Sequence, residues 1–485
     1  MEKLSDIRMN LLKKDTILAI VLGLTISLYI YSIRESELAG AISLSLFTFI
    51  LSLWMMHKTI RIFDFRRVTI CSLWYFTYLA MIYFSSFLVF FRRPEPYRST
   101  YLFSVGSVLI TVPVGIFITN TLLRFSTTEI DQYYESPIFE VKKVDINKFL
   151  VIFILFLVVL VITLTYFSRI KTIPLLYMLK HPHEVYKLMI MREQVFKLLD
   201  PRWSASGSTK MFYIYLFLRT TIYPFLIMLT LGYYLISRQL KWLFLFIGTL
   251  FIGGFYAASS IARSPVAAIF MRVFFFYFIY KKGYLNKKSL IVLLILILAF
   301  PTFITAFAYG SNMTIIDAIQ RVGKRLFYTP AWSLYYYFEI FPQHHNFLYG
   351  QTIAKPFLQF FTKDFFYVEN YVYKYIFPQG VETGHENDAF ISNCYADFGL
   401  LGVILGGILV GIIMQTLQIY LLRQKKTISN IAIYSFMIYA FWVLNSGSIT
   451  SVLFVNGVIP VLIFVWFIKF LERVLSPKGH KPVSL

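Results

Sequence analysis

Glu382-Thr383-Gly384-His385-Glu386-Asn387-Asp388 is the densest polar run in a chain dominated by apolar side chains. It sets a group that titrates near neutral pH beside carboxylates and an amide, which is the equipment for taking a proton from a sugar hydroxyl. His385, Glu386 and Asp388 are each candidates for that general base. A helix N-cap supplied by Asn387 or Asp388 is the competing explanation. The cost of keeping such groups beside apolar segments favours a chemical use.

Arginines form the second constellation. Arg219 and Arg272 fall inside apolar segments, while Arg263, Arg321 and Arg325 are expected at or near the outer face. A guanidinium stays charged and grips phosphate through paired N–H donors. A cluster of them suits a lipid diphosphate, whose charge grows as it leaves a breaking glycosyl bond. Arg321 and Arg325 are four residues apart and share a face of any helix they lie on. For each arginine alone, snorkelling to lipid headgroups competes with this reading.

A metal centre is not expected. His181-Pro182-His183-Glu184 and His344-His345 offer imidazoles, but no HExxH spacing is present and Pro182 keeps its neighbours off one helical face. On a helix, adjacent His344 and His345 would point about 100° apart. Cys71 and Cys394 make neither a CxxC site nor a disulfide framework. The segments with basic loops carry no Gly-rich phosphate loop, so no cofactor or nucleotide is expected.

What must position these groups follows from composition. Of 485 residues, 58% are hydrophobic and 14% charged, with 51 Phe and 35 Tyr. The charged share is roughly half the ~25% of a soluble chain. One water-soluble core cannot hide that much apolar surface, and a disordered chain would not contain it. An all-α polytopic integral membrane protein is the expected fold class. Twelve runs are long and apolar enough to span a bilayer: 16–33, 38–57, 68–91, 99–123, 148–168, 211–237, 241–258, 264–280, 289–309, 398–421, 428–446 and 451–470. The least distinct pair, 241–258 and 264–280, is separated only by the Ser-rich link Ser259-Ser260-Ile261-Ala262-Arg263.

The net charge of +22 comes in short clusters between these runs, which reflects membrane topology and not a nucleic-acid partner. Most short-loop Lys and Arg fall on the side of the N-terminus, Lys58–Arg67, Arg124–Lys148, Arg238–Lys241, Lys281–Lys288, Arg423–Lys426 and the C-terminal tail. The opposite side has Arg34, Arg92, Arg93, Arg98 and Arg263. Both termini are therefore expected in the cytoplasm, with the first apolar run retained as a helix. Two long loops, 169–210 and 310–397, fall on the outer side, and chemistry is expected there. Residues 1–309 form a nine-span region, 310–397 the large outer loop before the tenth span, and 398–485 a three-span region. Ala331-Trp332-Ser333-Leu334-Tyr335-Tyr336-Tyr337-Phe338 reads as an amphipathic helix at the bilayer interface, with substrate stacking as the sharper alternative. Residues 183–193 read as a second interfacial helix.

Three features resemble the Wzy-type oligosaccharide repeat-unit polymerases, relatives of the O-antigen ligases of bacterial surface polysaccharide assembly. One is the tract Asn387–Gly402, with Tyr395-Ala396-Asp397-Phe398-Gly399 leading into a Gly-rich span. Another is the turn Ser259-Ser260-Ile261-Ala262-Arg263-Ser264-Pro265. The last is the pair Tyr336-Tyr337-Phe338-Glu339 and Phe347-Leu348-Tyr349-Gly350. The resemblance covers the layout of most of the chain, and at residue level about 259–265 and 321–402. An Ile-Ala pair inserted before Arg263 departs from the family pattern, and the Arg-rich outer-loop signature of the ligases is not plainly present.

The resemblance implies a GT-C-like, metal-independent glycosyltransferase of the bacterial cytoplasmic membrane. Its donor and acceptor would be oligosaccharides on undecaprenyl diphosphate, with a chain-length regulator as a possible partner. Arg263 and one or both of Arg321 and Arg325 would hold the diphosphate, and His385 or a neighbouring carboxylate would activate the acceptor hydroxyl; Arg219 is a further candidate for the diphosphate from the arginine constellation itself. Asn387, Tyr336 and Glu339 are the candidates for sugar contact. A flippase or exporter of lipid-linked oligosaccharide is the alternative, disfavoured because the spans are nearly free of charge beyond Arg219 and Arg272. An enzyme using a lipid monophosphate donor is the third reading. Its acidic pair would have to be Glu35 and Glu37, better explained as solvated charges.

Overall fold

The computed structural model describes residues 37–93, 96–139, 146–181, 184–199, 214–283, 301–306, 313–355, 366–380, 384–386, 389–455 and 457–475, with 288, 291, 292, 295 and 299 among those between. All regular structure among them is helical. Ten helices are long and apolar enough to cross a membrane: Gly40–Ile60, Ile70–Arg92, Tyr97–Leu122, Asn147–Ser168, Ile214–Ser237, Leu240–Ala258, Arg263–Tyr280, Phe390–Leu422, Ile428–Asn445 and Ser451–Glu472. The protein is a multi-pass α-helical membrane protein by that measure. These ten match ten of the twelve expected spans. The run 16–33 and most of 289–309 lie outside the described residues.

Phe390–Leu422 and Tyr97–Leu122 form the most extensive helix pair, and small residues make it possible. A Cβ on Gly115 would sit 2.2 Å from the Ile408 carbonyl oxygen, and one on Gly411 2.2 Å from that of Val112. The two backbones are in direct contact, so dispersion between main chains replaces the hydrophobic drive that lipid cannot supply.

Phe390–Leu422 starts earlier than the expected span at 398, and the difference has a physical origin. Phe398 and Gly399 break the helix, with Gly399 at φ 61 and ψ −147, a region open essentially to glycine alone. The turn before the break lies against the loop 346–352. Leu348 donates to the Ala396 carbonyl at 2.9 Å, Tyr349 to that of Asp397 at 3.1 Å, and the Asp397 carboxylate accepts from Thr352 N at 3.2 Å and Thr352 Oγ1 at 2.5 Å. Two of the three segments behind the family resemblance thus form one structural unit. Asp397 is fully buried. Asp397→Ala leaves the Thr352 donors unmatched and is expected to cost about 1–3 kcal/mol, read as a lower melting temperature and faster proteolysis within 346–355.

The expected interfacial helix is a correction. Thr329–Ile340 is mostly a core helix: Pro330, Ala331, Ser333, Leu334, Tyr335, Tyr337, Phe338 and Ile340 are buried, packed on Tyr97–Leu122 and Phe390–Leu422, and only one stripe is left partly open. It continues Ile315–Gly323 through a π-helical turn, Lys324–Tyr328. Thr314 starts the run with a capping box to Asp317. Further π turns occur at Leu79–Tyr83, Leu218–Ile222 and Ser451–Val455.

At one end of the bundle, ion pairs tie the basic loops together. Arg61 and Arg67 meet Asp131 at 2.5 and 3.1 Å, Arg67 meets Glu135 at 3.0 Å, and Arg423 meets Glu129 at 2.8 Å. Helix Ile428–Asn445 begins beside that network and ends in a cavity, roughly 25 Å away along its axis.

Candidate functional site

The cavity has a volume of about 520 Å³, the size of a small-molecule site. Arg192, Arg263, Arg321, Lys324 and Arg325 line it with His385 and Glu386, above a floor that includes Met271, Tyr439 and Trp442. Five cationic side chains thus face one carboxyl and one imidazole. At neutral pH such a surface attracts a multivalent anion.

Arg263 reaches the cavity because the Ser-rich link is a tight turn between Leu240–Ala258 and Arg263–Tyr280. Ile261 N–H closes it on the Ala258 carbonyl at 2.8 Å. Ile261 itself sits at φ 57, a left-handed conformation unfavourable for a β-branched side chain and of the kind that gathers at functional sites. The turn is clamped from two sides. Arg219 Nη1 donates to Ser260 Oγ at 3.1 Å, and Leu175 N–H donates to the Ser259 carbonyl at 3.1 Å. Ile261 packs with Met178, Leu188 and Ile304, so helices Pro174–Lys180 and Val185–Leu199 cover the turn, and Arg192 of the second lines the cavity.

Arg321, Lys324 and Arg325 come from the helix Ile315–Gly323 and the π turn after it. His385 and Glu386 lie on a short non-helical piece held to Val368–Ile376. Asn370 Nδ2 donates to the Gly384 carbonyl at 2.7 Å, and a Cβ at Gly384 would fall 1.9 Å from the Tyr373 ring. Lys355 pairs with Glu369 at 2.7 Å to anchor that helix. Burial opposes ionisation of Glu369, yet Lys355, and beyond it His385, hold its carboxyl below the usual range. Glu386 goes the other way: burial pushes it up to about 6, against the pull of Arg325. Such tuning is what a base working near neutral pH needs.

The sequence-predicted residues therefore divide. Arg263, Arg321, Arg325, His385 and Glu386 share the cavity. Arg219 does not line it; it is tied to Ser260, with its buried Nε lacking a partner among the described residues. Tyr336 and Glu339 lie outside the lining, in an aromatic group with Arg93, Trp332 and Tyr375. Asn387 and Asp388 lie outside the described residues. Arg272 is buried between spans, donating to the Thr220 carbonyl at 2.8 Å and lying 4.0 Å from the Phe436 ring centroid. Arg192 and Lys324 are cavity residues that sequence reading missed. Lys324 was legible as the middle of an i, i+3, i+4 basic set; Arg192 carried no comparable signal.

His344 and His345 pack on aromatic rings, His345 4.5 Å from Phe366 and His344 5.6 Å from Tyr375. Among the described residues, no three His, Cys, Asp or Glu side chains gather as a metal site would require. No known protein family, curated protein or solved structure matches the chain.

Proposed function

We propose that the protein is a GT-C-like membrane glycosyltransferase that polymerises undecaprenyl-diphosphate-linked oligosaccharide repeat units on the outer face of the bacterial cytoplasmic membrane. One observation carries this reading: five cationic side chains line one cavity with a carboxyl and an imidazole of the kind that accept a proton. A hydroxyl of the acceptor sugar attacks the anomeric carbon of the donor glycan. The bond from that carbon to the diphosphate oxygen breaks, and the carrier diphosphate leaves with the electron pair. Arg263, Arg321, Lys324 and Arg325 stabilise its charge, with Arg192 closing from the other long loop. Glu386 or His385 takes the hydroxyl proton. Arg219 acts at one remove, fixing the turn that carries Arg263.

Deleting the gene tests the class. A polymerase leaves single lipid-linked repeat units accumulated on the outer face; units trapped on the inner face would mean a flippase and overturn the proposal. A second test is the pH profile. With Glu386 as base, the rate rises as pH climbs through about 6, since only the ionised carboxylate accepts the proton. Glu386→Gln removes that limb and most of the rate.

A further inference from the structure

Outside the cavity lining, the helix Thr329–Ile340 has one face that is not buried. Thr329, Trp332, Tyr336 and Glu339 are half-exposed, while the rest of the helix is in the core. Their spacing places them in one stripe. Thr329 lines the cavity, and the stripe runs from it for about 15 Å. Val368–Ile376 and the Phe377 that caps it supply the opposite side, from cavity-lining Tyr373 through Phe377 to Tyr375. The rings connect along the way. Tyr373 and Phe377 centroids are 5.3 Å apart, Phe377 and Trp332 6.2 Å, Trp332 and Tyr336 5.2 Å, and Tyr336 and Tyr375 6.3 Å.

Polar groups edge these rings. Tyr375 OH donates to Glu339 Oε1 at 2.9 Å, Arg93 donates to Tyr336 OH and lies 4.6 Å from that ring, and exposed His344 sits beside Tyr375. Tyr375 is 37% and Phe377 41% exposed. Sugar rings present an apolar C–H face and a rim of hydroxyls. Aromatic faces take the first, and carboxylate, guanidinium and imidazole groups take the second.

Resting on the polymerase reading, we infer that this stripe is a saccharide-binding track, holding the glycan of a lipid-linked substrate several sugars away from its diphosphate. An aromatic belt at the bilayer surface is the other use of such rings. It is disfavoured here because the helix buries its remaining faces in the core and because its one open stripe starts in the cavity.

The test compares Trp332→Ala and Trp332→Phe with Arg325→Ala in full-length protein. Products are sized by gel electrophoresis. Wild-type protein in nanodiscs is also titrated, by tryptophan fluorescence, with carrier-free oligosaccharide freed by mild acid from the strain's lipid-linked precursor. A track predicts that Trp332→Ala shortens the polymer severalfold, that Trp332→Phe keeps most of its length, and that the oligosaccharide changes the fluorescence in wild type and in Arg325→Ala. Wild-type lengths for Trp332→Ala, with polymer lost in Arg325→Ala, would overturn the track and leave the polymerase. Wild-type polymer from Arg325→Ala would overturn the cavity as the site of transfer, and the track with it. Should Trp332→Ala fail to reach the membrane, the titration decides: no fluorescence change with oligosaccharide means a membrane anchor and no track.

Discussion

Arg325→Ala is expected to reach the membrane at wild-type level and to lose glycan transfer about 100-fold or more. Arg325 is exposed on the cavity wall, so its removal opens no hole in the core, and surface truncations of that kind rarely destabilise by more than ~0.5 kcal/mol. On the proposed reading the loss falls on the step in which the diphosphate departs, because charge appears there that the ground state does not carry to the same extent. Arg325→Lys restores part of the rate, since an ammonium keeps the charge but not the paired donors. A second effect comes with the first. Arg325 opposes the upward shift of Glu386, so without it the acid limb of the residual activity moves above about 6. A merely structural role for Arg325 would lower the rate without moving that limb. Transfer from a lipid-linked donor to a lipid-linked acceptor, measured across pH in reconstituted vesicles, checks both.

The other large effect concerns the close pair of helices Tyr97–Leu122 and Phe390–Leu422. Gly411→Val is expected to destabilise by more than the roughly 1–3 kcal/mol of an ordinary overfilled core. The new carbon would meet the Val112 carbonyl oxygen 2.2 Å away, with the Gly115 Cα at 3.1 Å. These are backbone atoms of a neighbouring span and have no rotamer into which to retreat. The helices must separate along the whole Gly-rich seam, and the turn of Asp397 moves with them. Gly115→Val is expected to behave alike, since its Cβ collides with the Ile408 carbonyl oxygen from the other side. Gly254→Ala is the control: nothing lies within 4 Å of its Cβ position, and a helical glycine replaced by alanine there is neutral or stabilising by up to ~1 kcal/mol. Thermal unfolding in detergent and protein level in the membrane distinguish the three.

Much of the site is legible in the sequence because charge is conspicuous in an apolar chain. Arg263, Arg321, Arg325, His385 and Glu386 stand out between the spans, and the cavity collects all five. Periodicity could not say which way a buried arginine points, so Arg219 was read as a phosphate ligand when it secures a turn. The Tyr-Ala-Asp-Phe-Gly tract, read as part of a family pattern, is the hinge and clasp of a helix, where Asp397 binds Thr352 and Gly399 takes a conformation other residues avoid. Aromatic richness in 331–338 suggested an interface helix; core packing against two spans prevailed. Arg192 was hidden because its partners lie more than sixty residues away in sequence, across contacts that only folding creates.

The π turn at Lys324–Tyr328 acts as an angular offset. A π turn accommodates one residue more than the α-helix would, and everything after it is rotated by about 100° relative to an uninterrupted helix. Arg321 and Arg325 approach the cavity from before and within that turn, while Trp332, Tyr336 and Glu339 follow it. The offset sets the aim of the cavity-facing cationic groups independently of the aromatic stripe on the same rod. Removing a single residue from 324–328 would therefore leave every side chain of both sets present and still put them out of phase. Chain length in this turn, as much as residue identity, belongs to the specification of the site.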